Sequence, residues 1–254
     1  MADLFEDLAS AFHSEPRSAA PRQRPELPKR FYKGVTISGE AEGFAVKLDG
    51  RPVKTPARAI LAVPEAALAE ALADEWRGQG ERIDPATMPL TRLVNSAIDG
   101  IAGEAEAVAA DAAKYAGSDL LCYRAEDPER LVARQTEVWD PILRWAEQRL
   151  GVRFVLAGGV MPVRQHESVV PAVLTAIPRD PIRLAAVHQL TTVMGSVLLA
   201  LAVLEGRLTA DEAFAASTLD EDWNIAQWGE DDEATARRLY RAADVAAAAR
   251  LLGK

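Results

Sequence analysis

The chain is poor in the residues that carry most metal and redox chemistry. It has one cysteine, Cys122, and three histidines, His13, His166 and His188. A lone cysteine forms no internal disulfide, so nothing in the sequence points to an oxidising compartment. The histidines stand far apart, and none completes a C-x-x-C or H-E-x-x-H pattern; His166-Glu167 lacks the second histidine. No metal and no cofactor is expected. Gly34 and Gly39 have the spacing of a phosphate-binding loop, but Glu40 occupies the position that needs lysine. Positive charge is also short, with 29 Lys and Arg against 38 Asp and Glu, a net charge of −9. A general nucleic-acid or anionic-membrane binder would need the opposite balance. Long apolar runs are missing too. The uncharged stretch Leu190 to Leu204 falls short of the ~20 residues that span a bilayer, and it reads as a buried helix.

What remains is a globular chain of 254 residues, 49% apolar, with an uneven distribution of patterns. Residues 1–29 read as a flexible N-terminal arm. Met1 to Phe12 has the pattern of a short acidic amphipathic helix, and Pro16, Pro21, Pro25 and Pro28 break up the rest of the arm. Asp3, Glu6 and Asp7 are unlike a mitochondrial presequence. Residues 30–87 read as a small β-rich α/β domain. Phe31 to Ile37 and Phe44 to Leu48 are strand-like, Asp49-Gly50 is a hairpin turn, Pro52 confines its strand to an edge, and Pro64 opens a helix to about Arg77. Residues 88–254 read as a larger, mainly helical domain, which makes the fold α+β. Predicted helices cover Met88–Gly100, Glu104–Tyr115, Pro128–Leu150 with a break or kink at Asp140-Pro141, Glu167–Ile177, Asp180–Glu205 and Asp231–Leu252. Val152 to Leu156 reads as the one late strand or an extended link.

The stretch Leu208 to Gly229 stands out. Thr209 and Glu212 have capping-box spacing and Gly229 suits a helix end. Read as one helix, Phe214, Thr218, Glu221, Ile225 and Trp228 form a single stripe. Glu221 is then a carboxylate on a packed face, needing a cation from Arg207, from Arg237 or from another protein. Cys122, near Asp119 and Tyr123, has no histidine partner and reads as a packing residue, as does His188. Gln135, Trp139, Asp140 and Trp145 form a polar-aromatic group whose ordinary role is packing, and Arg124 and Arg134 are candidates to neutralise buried acids. No nucleophile, base and oxyanion donor assemble in the sequence.

Five segments nevertheless resemble one family. They are Met88 to Asp99, Tyr115 to Arg124, Gln135 with Trp139-Asp140-Pro141, Leu190 to Ser196, and Leu219 to Gly229. In this order they are similar to the assembly chaperones that bind the alpha subunit of the soluble catalytic sector of ATP synthase. The resemblance spans roughly residues 30–252. It implies a small α/β domain and, after it, a helical one. It also implies a non-enzymatic chaperone that holds unassembled alpha subunit, preventing its aggregation until beta subunit replaces it. An acidic residue before the Trp-Gly pair matters in that family; here Asp220 and Glu221 match, and the stripe favours Glu221 as the inward-facing one. Asn224 stands where the family pattern has glutamine. Trp223, Trp228 and Trp139 are the expected partner-binding aromatics, with Asp220 and Glu221 as the charged contacts. A bacterial cytoplasmic monomer is the expected setting, since eukaryotic members carry mitochondrial targeting segments. The alternative is a small-molecule hydrolase or transferase with a site in the inter-domain cleft.

Overall fold

The structure, a computed structural model, describes residues 26–40, 43–159 and 161–254. The helix expected at Met1 to Phe12 lies outside them. The end of the expected arm is held in place: Ile83 N–H donates to Pro28 O at 2.8 Å, and Lys29 forms a β-bridge with Arg82. Contacts divide the chain into two compact units, one ending at Asp99 and one spanning Gly100–Lys254.

The first unit is built on a four-stranded antiparallel sheet of β1 (Val35–Glu40), β2 (Gly43–Leu48), β3 (Arg51–Pro52) and β4 (Ala62–Val63), with β2 at its centre. β1 pairs with β2 from Val35↔Leu48 to Glu40↔Gly43. The β2–β3 turn is the one the sequence indicated: Asp49 and Gly50 both have positive φ, 47° and 79°. The Asp49 carboxylate then accepts from Gly34 N–H at 2.7 Å and from Lys33 N–H, bonds that hold its pKa below the usual value. Pro52 sits on short β3, where its missing N–H costs no ladder bond. Gly43 is forced by close approach. It has φ 124°, and a Cβ there would lie 2.4 Å from Val63 O on the paired strand.

Helix α1 (Ala66–Arg77) packs on β1 and β2 and buries Leu68, Ala69 and Leu72. α2 (Pro89–Ser96) packs against α1, so the segment expected to begin the helical domain instead belongs to the first unit. The physical reason is Glu75 of α1. Its carboxylate accepts from Leu90 N–H at 2.7 Å and Thr91 N–H at 2.8 Å, satisfying free donors at the start of α2. A π-helical turn, Ala97–Ile101, comes directly after α2. Within it Asp99 accepts from the Thr55 hydroxyl at 2.6 Å and from Ala57 N–H at 2.9 Å.

The second unit contains α3 (Ala102–Lys114), β5 (Tyr123–Arg124), α4 (Glu129–Leu150), β6 (Ala157–Gly158) and α5 (Val169–Ala176). After these come α6 (Pro181–Met194), α7 (Val197–Leu204), α8 (Ala210–Ser217), α9 (Leu219–Trp228) and α10 (Asp232–Leu251). α4 runs through Pro141 without ending. Of the two forms expected at Val152 to Leu156, the segment is a link, and the two-residue β6, parallel to β5, follows it. Asp180 caps α6 by accepting from Arg183 N–H at 2.9 Å, with Pro181 in the first turn.

The single helix expected across Asp180–Glu205 is two helices. Gly195 adopts the left-handed conformation, φ 67°, and ends α6. Ser196 restarts the chain as α7, its hydroxyl accepting from Leu199 N–H at 3.1 Å. Every residue of α7 is buried. α6 packs against α3, α7 and α10 and is the centre of the unit. Among the described residues no helix is long and apolar enough to cross a membrane.

Candidate functional site

The polar residues of the sequence motifs fall into two groups, one buried and one on the surface. Asp119 is fully buried at the junction of α6 and α7. Its carboxylate accepts from the Ser196 hydroxyl at 2.7 Å and from Leu121 and Leu198 N–H, each at 3.1 Å. Burial pushes its pKa up to about 6, although these hydrogen bonds favour the charged form. Cys122 lies buried beside it. Burial, with help from the Asp119 charge, raises its thiol to about 12, which removes it as a nucleophile. Arg124 pairs with Asp140 at 2.9 Å and lies 5.3 Å from the ring centroid of Trp139. His188 is half-buried rather than a core residue, with Nε2 3.2 Å from Asp111 Oδ2.

Trp139 is 1% exposed, and its indole N–H donates to Ala216 O at 2.8 Å. It joins α4 to α8 and presents no surface to a partner, which corrects its place among the expected contact residues. Gln135, one turn earlier on α4, is equally buried. It accepts from Ala125 N–H and donates to Asp220 Oδ1, both at 2.8 Å. Asp220 is therefore the acid that faces inward and fastens α9 to α4.

Glu221 faces outward, contrary to the stripe expected from the sequence. The cause is the interruption of the helix at Thr218, φ −103° and ψ 13°, which divides α8 from α9 and changes the phase of the residues after it. The capping box at Thr209 and Glu212 forms as expected, with Glu212 N–H to Thr209 Oγ1 at 3.2 Å and Thr209 N–H to Glu212 Oε2 at 2.8 Å. Thr218 itself is buried.

Past the break, two ion pairs connect α9 to α10. Asp222 meets Arg238, and Glu221 meets Arg241 rather than Arg207 or Arg237. Arg237 pairs with Glu233 on its own helix. Arg238 also donates to Thr218 Oγ1 at 3.2 Å, and the Asp222 contact raises its pKa. Arg241 lies 5.9 Å from the centroid of Phe214. A cavity of about 490 Å³ is lined by Ile225 and Trp228 of α9, by Ala234 and Thr235 of α10, and by Glu221, Arg238 and Arg241. Trp228 closes α9 and is 80% exposed, while Trp223 is half-buried. Leu239, on α10, is exposed as well. Sequence reasoning missed Arg238 and Arg241. The clue available was that Arg238 and Arg241 stand three residues apart, a helical spacing, in an Ala-rich final helix.

Comparison with known proteins assigns a family. The profile of the ATP12 chaperone protein family matches residues 29–147. The crystal structure of Atp12 from Paracoccus denitrificans superposes with a TM-score of 0.81 at 42% identity, covering 89% of this chain and 97% of that one. The chain belongs to the ATP12 chaperone family. A candidate chaperone from Agrobacterium tumefaciens is 46% identical with a TM-score of 0.85, over 99% of this chain and 96% of its own. Among curated relatives, the mitochondrial protein atp12 of Schizosaccharomyces pombe is 24% identical over 237 residues, 86% of this chain and 79% of that protein. The α+β architecture read from the sequence is thus shared with the ATP12 family, which has both bacterial and mitochondrial members.

Proposed function

We propose that this ATP12-family chaperone serves ATP synthase assembly by binding the unassembled alpha subunit through the α9–α10 surface, in a bacterial cytoplasm. The observation that carries the reading is Trp228, a large aromatic left 80% exposed beside two solvent-accessible acid–arginine pairs. An exposed aromatic with charge around it has the anatomy of a contact surface, where tryptophan anchors and charges set register. Free alpha subunit would expose the face meant for beta, and covering an apolar face reversibly is what prevents aggregation. Glu221 gives register by exchanging Arg241 for a lysine or arginine of the client. Such an exchange is inexpensive because exposed ion pairs contribute only about 0–1 kcal/mol each. Trp223 adds half-buried area behind the contact, whereas Asp220 acts by holding α9 to α4.

The test is capture of separately expressed alpha and beta subunits by the chain, with Glu221→Ala and Trp228→Ala alongside. Alpha but not beta is captured by the unmodified chain, and each variant captures less while remaining folded. Capture by both variants equal to that by the unmodified chain would move the site elsewhere on the molecule. Failure to capture either subunit would sink the client assignment.

A further inference from the structure

The unit ending at Asp99 has a second surface that the client reading does not use. A hollow of about 720 Å³ is walled by Phe31, Tyr32, Val53, Trp76, Ile83 and Met88. Phe31 is 76% exposed, an unusual position for a phenylalanine with no cover. Arg51 and Lys54 also line the hollow, and neither meets a carboxylate among the described residues. Trp76 Nε1 and Asn95 Oδ1, polar atoms of lining residues, are buried with no hydrogen-bond partner among the described residues. An occupant of this hollow must bring apolar side chains, negative charge and polar atoms together.

The chain carries such a segment. Leu4, Phe5, Leu8 and Phe12 recur at the spacing of one helical face, with Asp3, Glu6 and Asp7 among them. The described chain begins at Glu26, and Pro28 itself lines the hollow, held there by Ile83. At ~3.3–3.6 Å per extended residue, the stretch between Phe12 and Pro28 can span tens of ångströms, more than the hollow requires. A tether of that length sets an effective concentration on the order of 1 mM. Even an intrinsic Kd of about 100 μM would then leave the docked form in roughly tenfold excess.

We propose that the acidic, apolar segment Met1–Phe12 of this same chain docks in the hollow, with its carboxylates toward Arg51 and Lys54 and its apolar face covering Phe31. This assignment is independent of the alpha-subunit reading.

The test uses the full chain with the photo-crosslinking residue benzoylphenylalanine in place of Phe5, mixed with isotopically heavy unmodified chain. Irradiation and peptide mass analysis are expected to join position 5 to the peptide holding Phe31 or Met88 of the same, light chain. Reversing the exposed charges, Arg51→Glu with Lys54→Glu, should weaken docking up to about thirtyfold, the worth of two exposed ion pairs, and so lower that yield about threefold. Adding Asp3→Lys, Glu6→Lys and Asp7→Lys should restore it, while thermal melting confirms that each variant is folded. Links to the heavy chain would make the occupant a second copy and overturn the proposal. So would links that avoid the hollow, or a yield indifferent to the charge reversal.

Discussion

Asp119 and Glu221 are both carboxylates near a helix start in the same unit, and they are held in opposite ways. Asp119 is fully buried and meets three neutral donors from a hydroxyl and two backbone groups. Glu221 is exposed and meets one arginine. A carboxylate of the first kind is fixed, because removing a donor leaves a buried charge uncompensated. One of the second kind can exchange partners at little cost, because water is always an alternative. The same division separates Asp220 from Glu221, adjacent residues on α9. One is tied to buried Gln135, and the other to the half-buried Arg241. The buried group builds the scaffold, and the exposed group is free to be used.

Four experiments bear on that contrast. The largest effect belongs to the buried group. Trp139→Ala removes a fully enclosed indole and its bond to Ala216, and should lower the unfolding free energy by about 3–5 kcal/mol in a denaturant titration. A loss below about 1 kcal/mol would show that α4 and α8 are not joined there.

Next is Asp119, whose effect depends on pH. Its folded pKa of about 6 lies above the ordinary unfolded value of ~3.9, so the native state keeps the proton longer as pH rises. The contribution of Asp119 to stability is therefore largest below pH ~4, falls between about pH 4 and 6, and is constant above that range. The total change is of the order of 3 kcal/mol at most. Comparing unfolding free energies of the unmodified chain and Asp119→Asn across pH should show a difference that varies only in this window. A difference flat from about pH 4 to 6 would contradict the raised pKa.

Glu221→Ala should cost less than about 1 kcal/mol of stability, yet reduce capture of the alpha subunit. The double variant with Arg241→Ala isolates the internal pair. If stability falls by several kcal/mol in either variant, Glu221 belongs with Asp119 as a structural group. Trp228→Ala is the smallest perturbation of the fold, within about 0.5 kcal/mol by thermal melting, because little of its ring is packed. Its effect should appear in capture alone.

The sequence is most informative where a local rule acts alone. The Thr209–Glu212 capping box, the Asp49-Gly50 turn and the Asp180-Pro181 helix start need only neighbours within a few residues, and all three form in the structure. It misleads where a break carries no strong local mark. Thr218 is an ordinary helical residue by composition, and its departure from helical geometry rotates Glu221 out and Asp220 in. Gly195-Ser196 sits inside an uncharged run that reads as one helix, whereas its role is to end one helix and cap the next around Asp119. Partners distant in the chain are not readable at all. Nothing local pairs Gln135 with Asp220, or chooses Arg241 over Arg237 for Glu221. The motif segments, by contrast, are recognisable because many of their residues bind one another, as Asp119 does Ser196 and Arg124 does Asp140. Their pattern marks the scaffold more than the contact surface.

The sealed position of Cys122 has a practical consequence. It is the chain's single thiol, enclosed at the heart of the second unit and held protonated well above neutral pH. A thiol reagent reaches it only when that core opens, so the slow rate of labelling becomes a clock for the opening. The same silence makes the native chain a blank background. A cysteine placed anywhere on the surface would be the sole fast-reacting site, and dyes or spin labels could be attached there without first removing Cys122.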